Sequence, residues 1–114
     1  MKRLFESFRS ALNGILLGVS GQQNMKIHVT IAIMVVVVGF YFHISGGEWL
    51  AIVLCIGLVL STELLNTALE HLVNLVSPHH QALAGKIKDV AAGAVLVLAI
   101  ASSIVGLIIF SKYL

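Results

Sequence analysis

Three long stretches of the chain carry almost no charged residues. Residues 27–47 and residues 90–111 contain no Lys, Arg, Asp or Glu over 21 and 22 positions respectively. Each run matches the roughly 20 apolar residues that an α-helix needs to cross the hydrocarbon core of a membrane. Between them, Trp49 to Thr62 gives 14 further uncharged positions, and apolar residues continue past Glu63 to Val76. The pattern predicts membrane-spanning helices at 25–45, 48–76 and 86–111.

The first 21 residues follow a helical period instead, with apolar and polar side chains on opposite sides of the wheel. The apolar side holds Leu4, Phe5, Phe8, Ala11, Leu12, Ile15, Leu16 and Val19, and the polar side holds Lys2, Arg3, Glu6, Arg9, Ser10 and Asn13. Such a helix lies in the headgroup plane with its basic residues toward anionic lipid. A core helix of a soluble bundle is the alternative, and the adjacent apolar runs favour the membrane. Residues 1–21 are therefore expected to form a surface helix.

Two connections join the expected spans within a single domain of residues 1–114. The first is short and lies around residues 43–47, where the Gly46-Gly47 pair is expected to supply the turn. The second is polar and is expected to run from Ser77 to Lys86. The fold class that follows is an all-α membrane protein.

Composition excludes a water-soluble globular domain. Apolar residues make up 59% of the chain and charged residues 11%, against a usual charged share of about 25%. The net charge of +2 gives no nucleic-acid footprint. A single cysteine, Cys55, excludes an intrachain disulfide.

The basic residues near the span ends predict the orientation. One side of the membrane would hold Lys2, Arg3, Arg9, Lys26, Lys86 and Lys88, and the other side only Lys112. Cytoplasmic loops carry the excess of Lys and Arg, so the N-terminus is expected inside and the C-terminus outside. The expected location is a multi-pass position in the cytoplasmic membrane.

One face of the second span carries the polar residues Glu63, Asn66, Glu70, Asn74 and Ser77. For Asn74 and Ser77, hydrogen bonds between helices are the favoured explanation. Ionisable groups inside a span are expensive and usually functional, so chemistry is favoured for the first three. Two acids on one face repel without a cation, and Mg²⁺ bridging carboxylates to phosphate oxygens would relieve that repulsion.

The run ELLNTALE at residues 63–70, followed by AGKIKDVAAGA at residues 84–94, resembles the signature of the bacterial integral-membrane diacylglycerol kinases. This family includes undecaprenol kinases, and the resemblance extends from Arg3 to the third span. The runs QQNMKIH at residues 22–28 and LSTELLNTA at residues 60–68 are closer to the undecaprenol-kinase branch.

The resemblance implies a homotrimer in the bacterial membrane, with active sites shared between protomers, ATP as donor with Mg²⁺, and a lipid hydroxyl as acceptor. By position, Glu63 resembles the general base, Asn66 a residue that orients groups beside it, and Glu70 the Mg²⁺ ligand. The residues that resemble nucleotide contacts are Arg3, Gln22, Glu70, His79, His80, Gln81, Lys88 and Asp89.

Gln22 is a departure from the family pattern, which usually has a second metal-binding glutamate at this position. An amide oxygen can bind Mg²⁺ but contributes no charge, so weaker metal binding is expected. Gln22→Glu is expected to raise activity at limiting Mg²⁺.

The sequence is compatible with several functions. Undecaprenol is the first acceptor and diacylglycerol the second, since both present a primary hydroxyl at the interface. A proton- or ion-conducting oligomer could use Glu63 and Glu70 as a relay, although no acid lies in the outer half of a span except Glu48 at its edge. A degenerate, non-catalytic membrane adaptor is the third alternative, which Gln22 makes conceivable.

Overall fold

The computed structural model describes residues 1–114 as four α-helices without β-strands. They are α1 (Lys2–Gly21), α2 (Gln23–Phe42), α3 (Gly46–Val76) and α4 (Ala82–Ser111). By length and composition, α2, α3 and α4 can each cross a membrane. The predicted fold class, an N-terminal helix followed by three spans, is confirmed.

The surface helix α1 is almost entirely exposed. Its apolar residues Leu4, Phe5 and Phe8 are solvent-accessible, and Gly18 is its one buried residue. The extended backbone of Gln22 (φ −123°, ψ 127°) separates α1 from α2. An amphipathic helix whose apolar side meets no protein is free to bury that side in lipid.

The turn between α2 and α3 differs from the expectation that Gly46-Gly47 forms it. The left-handed residue is His43 (φ 55°), whose N–H donates to Phe40 O at 3.3 Å, and the glycines are the first two residues of α3. A left-handed residue after the last turn is a common helix ending. Ser45 then starts α3 through a capping box with Glu48. The cap therefore fixes the start of α3, without need for glycine freedom.

The connection between α3 and α4 is shorter than the expected Ser77–Lys86 segment. It spans residues 77–81, and α4 begins at Ala82, so Lys86 lies in the second turn of that helix. Proline disfavours the helical conformation of the residue before it, which ends α3 ahead of Pro78. After Pro78, the next helix can begin well before residue 86.

The central helix is α3, along which α4 packs most extensively, while α2 lies on another part of its surface. The two flanking helices meet at the end that carries the α2–α3 turn, where the Phe42 ring lies 6.4 Å from that of Phe110 and stacks on Tyr113 at 5.6 Å. Beneath these rings lies a small buried cluster of Ile44, Ile52 and Ile109.

At the same end of the bundle, Glu48 links the start of α3 to the residues that follow α4. Its Oε2 lies 2.6 Å from Lys112 Nζ, and the Tyr113 hydroxyl donates to its Oε1. These contacts with the Glu48 carboxylate raise the pKa of both Lys112 and Tyr113 above their ordinary values. The residues that follow α4 are thereby tied to the start of α3.

Away from this end, α2 and α4 are separated by an apolar groove that has α3 as its floor. The groove has a volume of about 500 Å³ and is lined mainly by hydrophobic side chains, with Phe110 at one end and His28 at the other. It leads from the aromatic cluster toward the polar half of α3.

Candidate active site

The polar face of α3 begins with a buried carboxylate. Glu63 is 3% exposed and Asn66 8% exposed, although both lie on a helix that is otherwise strongly apolar. The hydroxyl of Thr67, also buried, donates to the Glu63 carbonyl at 3.1 Å, so it satisfies the backbone and leaves the carboxylate free. Burying an unpaired charge is costly, so the Glu63 side chain needs a partner from another helix.

That partner is His28 on α2, whose Nε2 lies 3.3 Å from Glu63 Oε2. This is an ion-pair contact between α2 and α3, with the imidazole at the buried carboxylate. The His28 side chain is 21% exposed and also lines the apolar groove. The contact therefore joins the His28 end of the groove to the buried carboxylate.

Asn66 and Glu70 form a second polar pair one turn further along α3. Asn66 Nδ2 lies 3.4 Å from Glu70 Oε1, and Asn66 Oδ1 is buried without a hydrogen-bond partner. The carboxylate can only accept, so the amide nitrogen must face Glu70 and the amide oxygen must face away. Asn66 thus presents a free acceptor on the polar face of α3.

A third polar contact links α3 to α4. Lys88 Nζ donates to Asn74 Oδ1 at 2.6 Å, which is the hydrogen bond between helices expected for Asn74. Ser77 does not make such a bond, because its hydroxyl donates to the His79 carbonyl within the connection at 3.1 Å. The ammonium of Lys88 is thereby held on the same face of α3 as Glu70.

The structure brings together Glu63, Asn66, Glu70 and Lys88 along one face of α3, but it does not gather the other candidate residues there. Gln22 is half-buried at the break between α1 and α2. The remaining candidates are exposed and form no hydrogen bond or ion pair with Glu63 or Glu70: Arg3, His79, His80, Gln81 and Asp89. Within a single chain, no three His, Cys, Asp or Glu side chains group together as a metal site.

Glu70 suits a magnesium ion in a nucleotide site. It is half-buried, and its one bonded oxygen receives only the amide of Asn66. Mg²⁺ usually keeps several waters and takes only one or two protein carboxylates together with substrate phosphates. A single carboxylate at the polar end of the face therefore fits that role.

His28 is the residue of this site that the sequence alone does not single out. The five histidines have no metal-site spacing, and His28 stands near the start of a span where a polar residue is unremarkable. The signal that could identify it is an ionisable side chain inside a span, at the same end of the bundle as Glu63.

Comparison with known proteins adds the family relationship. The sequence model of the prokaryotic diacylglycerol kinases matches residues 9–110. Undecaprenol kinase of Bacillus subtilis (strain 168) is 44% identical over 110 residues, which cover 96% of this chain and 89% of that protein. A diacylglycerol kinase of Synechocystis sp. is 40% identical over 104 residues, covering 90% of this chain and 59% of the relative.

Proposed function

Because this chain belongs to the prokaryotic diacylglycerol kinase family, we propose that it transfers the γ-phosphoryl group of ATP to the hydroxyl of a membrane lipid. Undecaprenol is the first acceptor, since the undecaprenol kinase relative matches nearly the full length of both chains. Diacylglycerol is the second. The reaction takes place at the cytoplasmic face of a bacterial membrane, with the N-terminus inside and the C-terminus outside.

One observation carries the proposal: the buried carboxylate of Glu63 lies beside His28, which lines one end of an apolar groove. Glu63 acts as the general base and takes the proton of the lipid hydroxyl. The hydroxyl oxygen forms a bond to the γ-phosphorus, and the bond from that phosphorus to the bridging oxygen breaks. ADP leaves with the bridging oxygen. A base positioned in this way contributes about 10²–10⁴-fold to the rate.

Asn66 and Glu70 serve the two sides of this transfer. The free Oδ1 of Asn66 can accept a hydrogen bond from a bound group beside Glu63 and so orient it. Glu70, together with the neutral amide of Gln22, would hold Mg²⁺, which supplies neutralisation of the phosphate charge. Phosphoryl transfer depends chiefly on positioning and charge neutralisation, so a small polar cluster is sufficient.

The nucleotide would be held by residues of more than one chain. Arg3 at the start of α1 and the exposed residues of the α3–α4 connection form no hydrogen bond with Glu70 in a single protomer. A homotrimer with shared sites would bring them to the phosphates. The proposed nucleotide contacts are Arg3, Gln22, Glu70, His79, His80, Gln81, Lys88 and Asp89.

The test is the purified protein in mixed micelles with MgATP and, separately, undecaprenol or diacylglycerol, following phosphorylated lipid and ADP. We expect both products in equal amounts, with undecaprenol as the better acceptor, and no product when Mg²⁺ is chelated. ADP without phosphorylated lipid, or no product with any lipid alcohol, would contradict the proposal. Proton flux into liposomes without ATP would instead support an ion-conducting oligomer.

A further inference from the structure

We propose that His28 is a positioning residue for Glu63: its Nε2 lies 3.3 Å from Oε2, and a hydrogen bond from Nε2–H to that oxygen turns the other carboxylate oxygen, Oε1, toward the acceptor hydroxyl. The inference rests on the proposed kinase function and adds to it a residue of α2. It also places the hydroxyl of the acceptor at the end of the groove that His28 lines.

The hydroxyls of Thr62 and Thr67, which flank Glu63 on α3, already donate to backbone carbonyls and are not available for this task. The Thr62 hydroxyl donates to the Leu58 carbonyl at 2.6 Å, and the Thr67 hydroxyl donates to the carbonyl of Glu63 itself at 3.1 Å. Asn66, the nearest amide, directs its nitrogen to Glu70. His28 is thus the side chain whose nitrogen lies within reach of the buried carboxylate, and it lies on another helix.

The contact fixes the direction of the carboxylate as well as its surroundings. Glu63 reaches its partner through rotatable bonds of its own side chain, and a buried group with one oxygen held at 3.3 Å keeps one orientation. The imidazole of His28 also forms part of the groove wall, close to Ile31 and Leu60. An acceptor chain in the groove would therefore bring its polar end to His28, which contacts the Glu63 carboxylate.

Three substitutions of His28 separate hydrogen bonding from packing. Gln places its amide nitrogen near the position of histidine Nε2 and keeps the donor, Asn places it near Nδ1 and falls short, and Phe keeps the ring shape without a donor. Thr30→Val is the matched control, because the Thr30 hydroxyl bonds only to the Lys26 carbonyl of its own helix, at 2.8 Å. Elution volume and helix content show whether each variant folds.

The readout is kcat and KM for MgATP, measured separately with saturating lipid acceptor. We expect H28F and H28N to lower kcat about 100-fold while KM for MgATP changes by less than about two-fold, since the base is misdirected but the nucleotide site is intact. H28Q should retain kcat to within about five-fold, and Thr30→Val should match the unsubstituted protein. If H28F fails to fold, the contrast between H28Q and H28N carries the test.

Equal kcat for H28Q and H28N, or an unchanged kcat for H28F, would overturn the positioning role while leaving the kinase function standing. An unsubstituted protein without lipid kinase activity would overturn the proposed function and this inference together. A second readout is independent of turnover: in ¹⁵N-histidine NMR spectra, the His28 Nε2 signal should shift in Glu63→Gln and stay in place in Thr62→Val. A signal that does not respond to Glu63→Gln would overturn the inference.

Discussion

Gly18 of α1 lies directly against Leu64 of α3, so closely that a Cβ atom at position 18 would overlap Leu64 Cδ2. Leu64 follows Glu63 in the chain, and Gly18 is the one buried residue of α1. The absence of a side chain at this position therefore lets the surface helix dock beside the buried carboxylate. Through this contact α1, which carries Arg3 at its far end, is held against the bundle.

Gly18→Val should weaken the docking of α1, because the valine side chain must displace the Leu64 side chain. Overpacking costs about 1–3 kcal/mol, and the lower end applies here, since the displaced atom is the mobile end of Leu64. Gly14→Val is the matched control, since a Cβ at that position has nothing within 4 Å. We expect a lower midpoint of thermal unfolding in detergent for Gly18→Val, and recovery when Leu64→Ala provides space. Equal losses for the two valine variants would show that helix propensity, and not the contact with Leu64, accounts for the effect.

The contacts of Glu48 predict a loss of stability at alkaline pH. The pKa of Lys112 is raised from 10.5, and that of Tyr113 from 10.0, by hydrogen bonds to the Glu48 carboxylate. A raised pKa means that each group stabilises the fold fully below its ordinary pKa, and that this contribution disappears as the pH rises through the raised value. Because Lys112 is 61% exposed, solvent screening keeps the effect small.

The measurement is the thermal unfolding midpoint between about pH 9 and pH 12. Lys112→Gln combined with Tyr113→Phe should lower the midpoint at pH 9 and flatten its alkaline decline. Lys86→Gln is the control, because Lys86 is an exposed lysine without an ion pair. If the double variant declines as steeply as the unsubstituted protein, the Glu48 contacts do not account for the alkaline behaviour.

Glu70→Gln should weaken nucleotide binding in a Mg²⁺-dependent way. The amide keeps the size of the side chain but removes the charge that would attract the metal. Titration of activity with Mg²⁺ at fixed ATP is expected to give a half-saturating concentration raised about ten-fold or more, with a smaller effect at saturating Mg²⁺. Asn74→Ala, on the same face of α3, is a useful comparison, since it removes the bond to Lys88 and leaves the carboxylate. An unchanged Mg²⁺ requirement in Glu70→Gln would exclude Glu70 as the metal ligand.

Gln22→Glu tests the opposite change. A second carboxylate at the break between α1 and α2 should strengthen metal binding, so the variant is expected to be more active than the unsubstituted protein at limiting Mg²⁺ and similar at high Mg²⁺. Gln23→Glu, one residue further along, adds the same charge at an exposed position and serves as control. Identical Mg²⁺ curves for Gln22→Glu and the unsubstituted protein would reject a metal role for this position.

The hydrophobic pattern predicts much of the fold because membrane spans depend on length and composition. The three spans follow from uncharged apolar runs, and the amphipathic first helix follows from its helical period. Both features can be recognised in the sequence without knowing how the helices pack. The ends of the helices depend on local capping, so the left-handed His43 and the early start of α4 at Ala82 lie beyond that pattern. Turn residues other than glycine can satisfy a helix end when the following cap is strong.

The polar face of α3 can likewise be predicted from the spacing of its residues, but the partners of its side chains on other helices cannot. Glu63, Asn66 and Glu70 fall on one face by helical geometry alone. The pairing of Glu63 with His28 depends on how α2 is rotated against α3, and apolar residues on both helices leave that rotation open. The roles of Arg3 and the α3–α4 connection stay predictions, since they would involve neighbouring chains.

The most direct test of the account is the rate of phosphorylated undecaprenol formation by Glu63→Gln at saturating MgATP, compared with Thr62→Val. The Thr62 hydroxyl is bonded within its own helix, so its loss should leave turnover unchanged. For Glu63→Gln, the loss of the general base predicts a kcat lowered by about 10²–10⁴-fold with MgATP binding retained. Phosphorylation by Glu63→Gln at the rate of the unsubstituted protein would contradict the account.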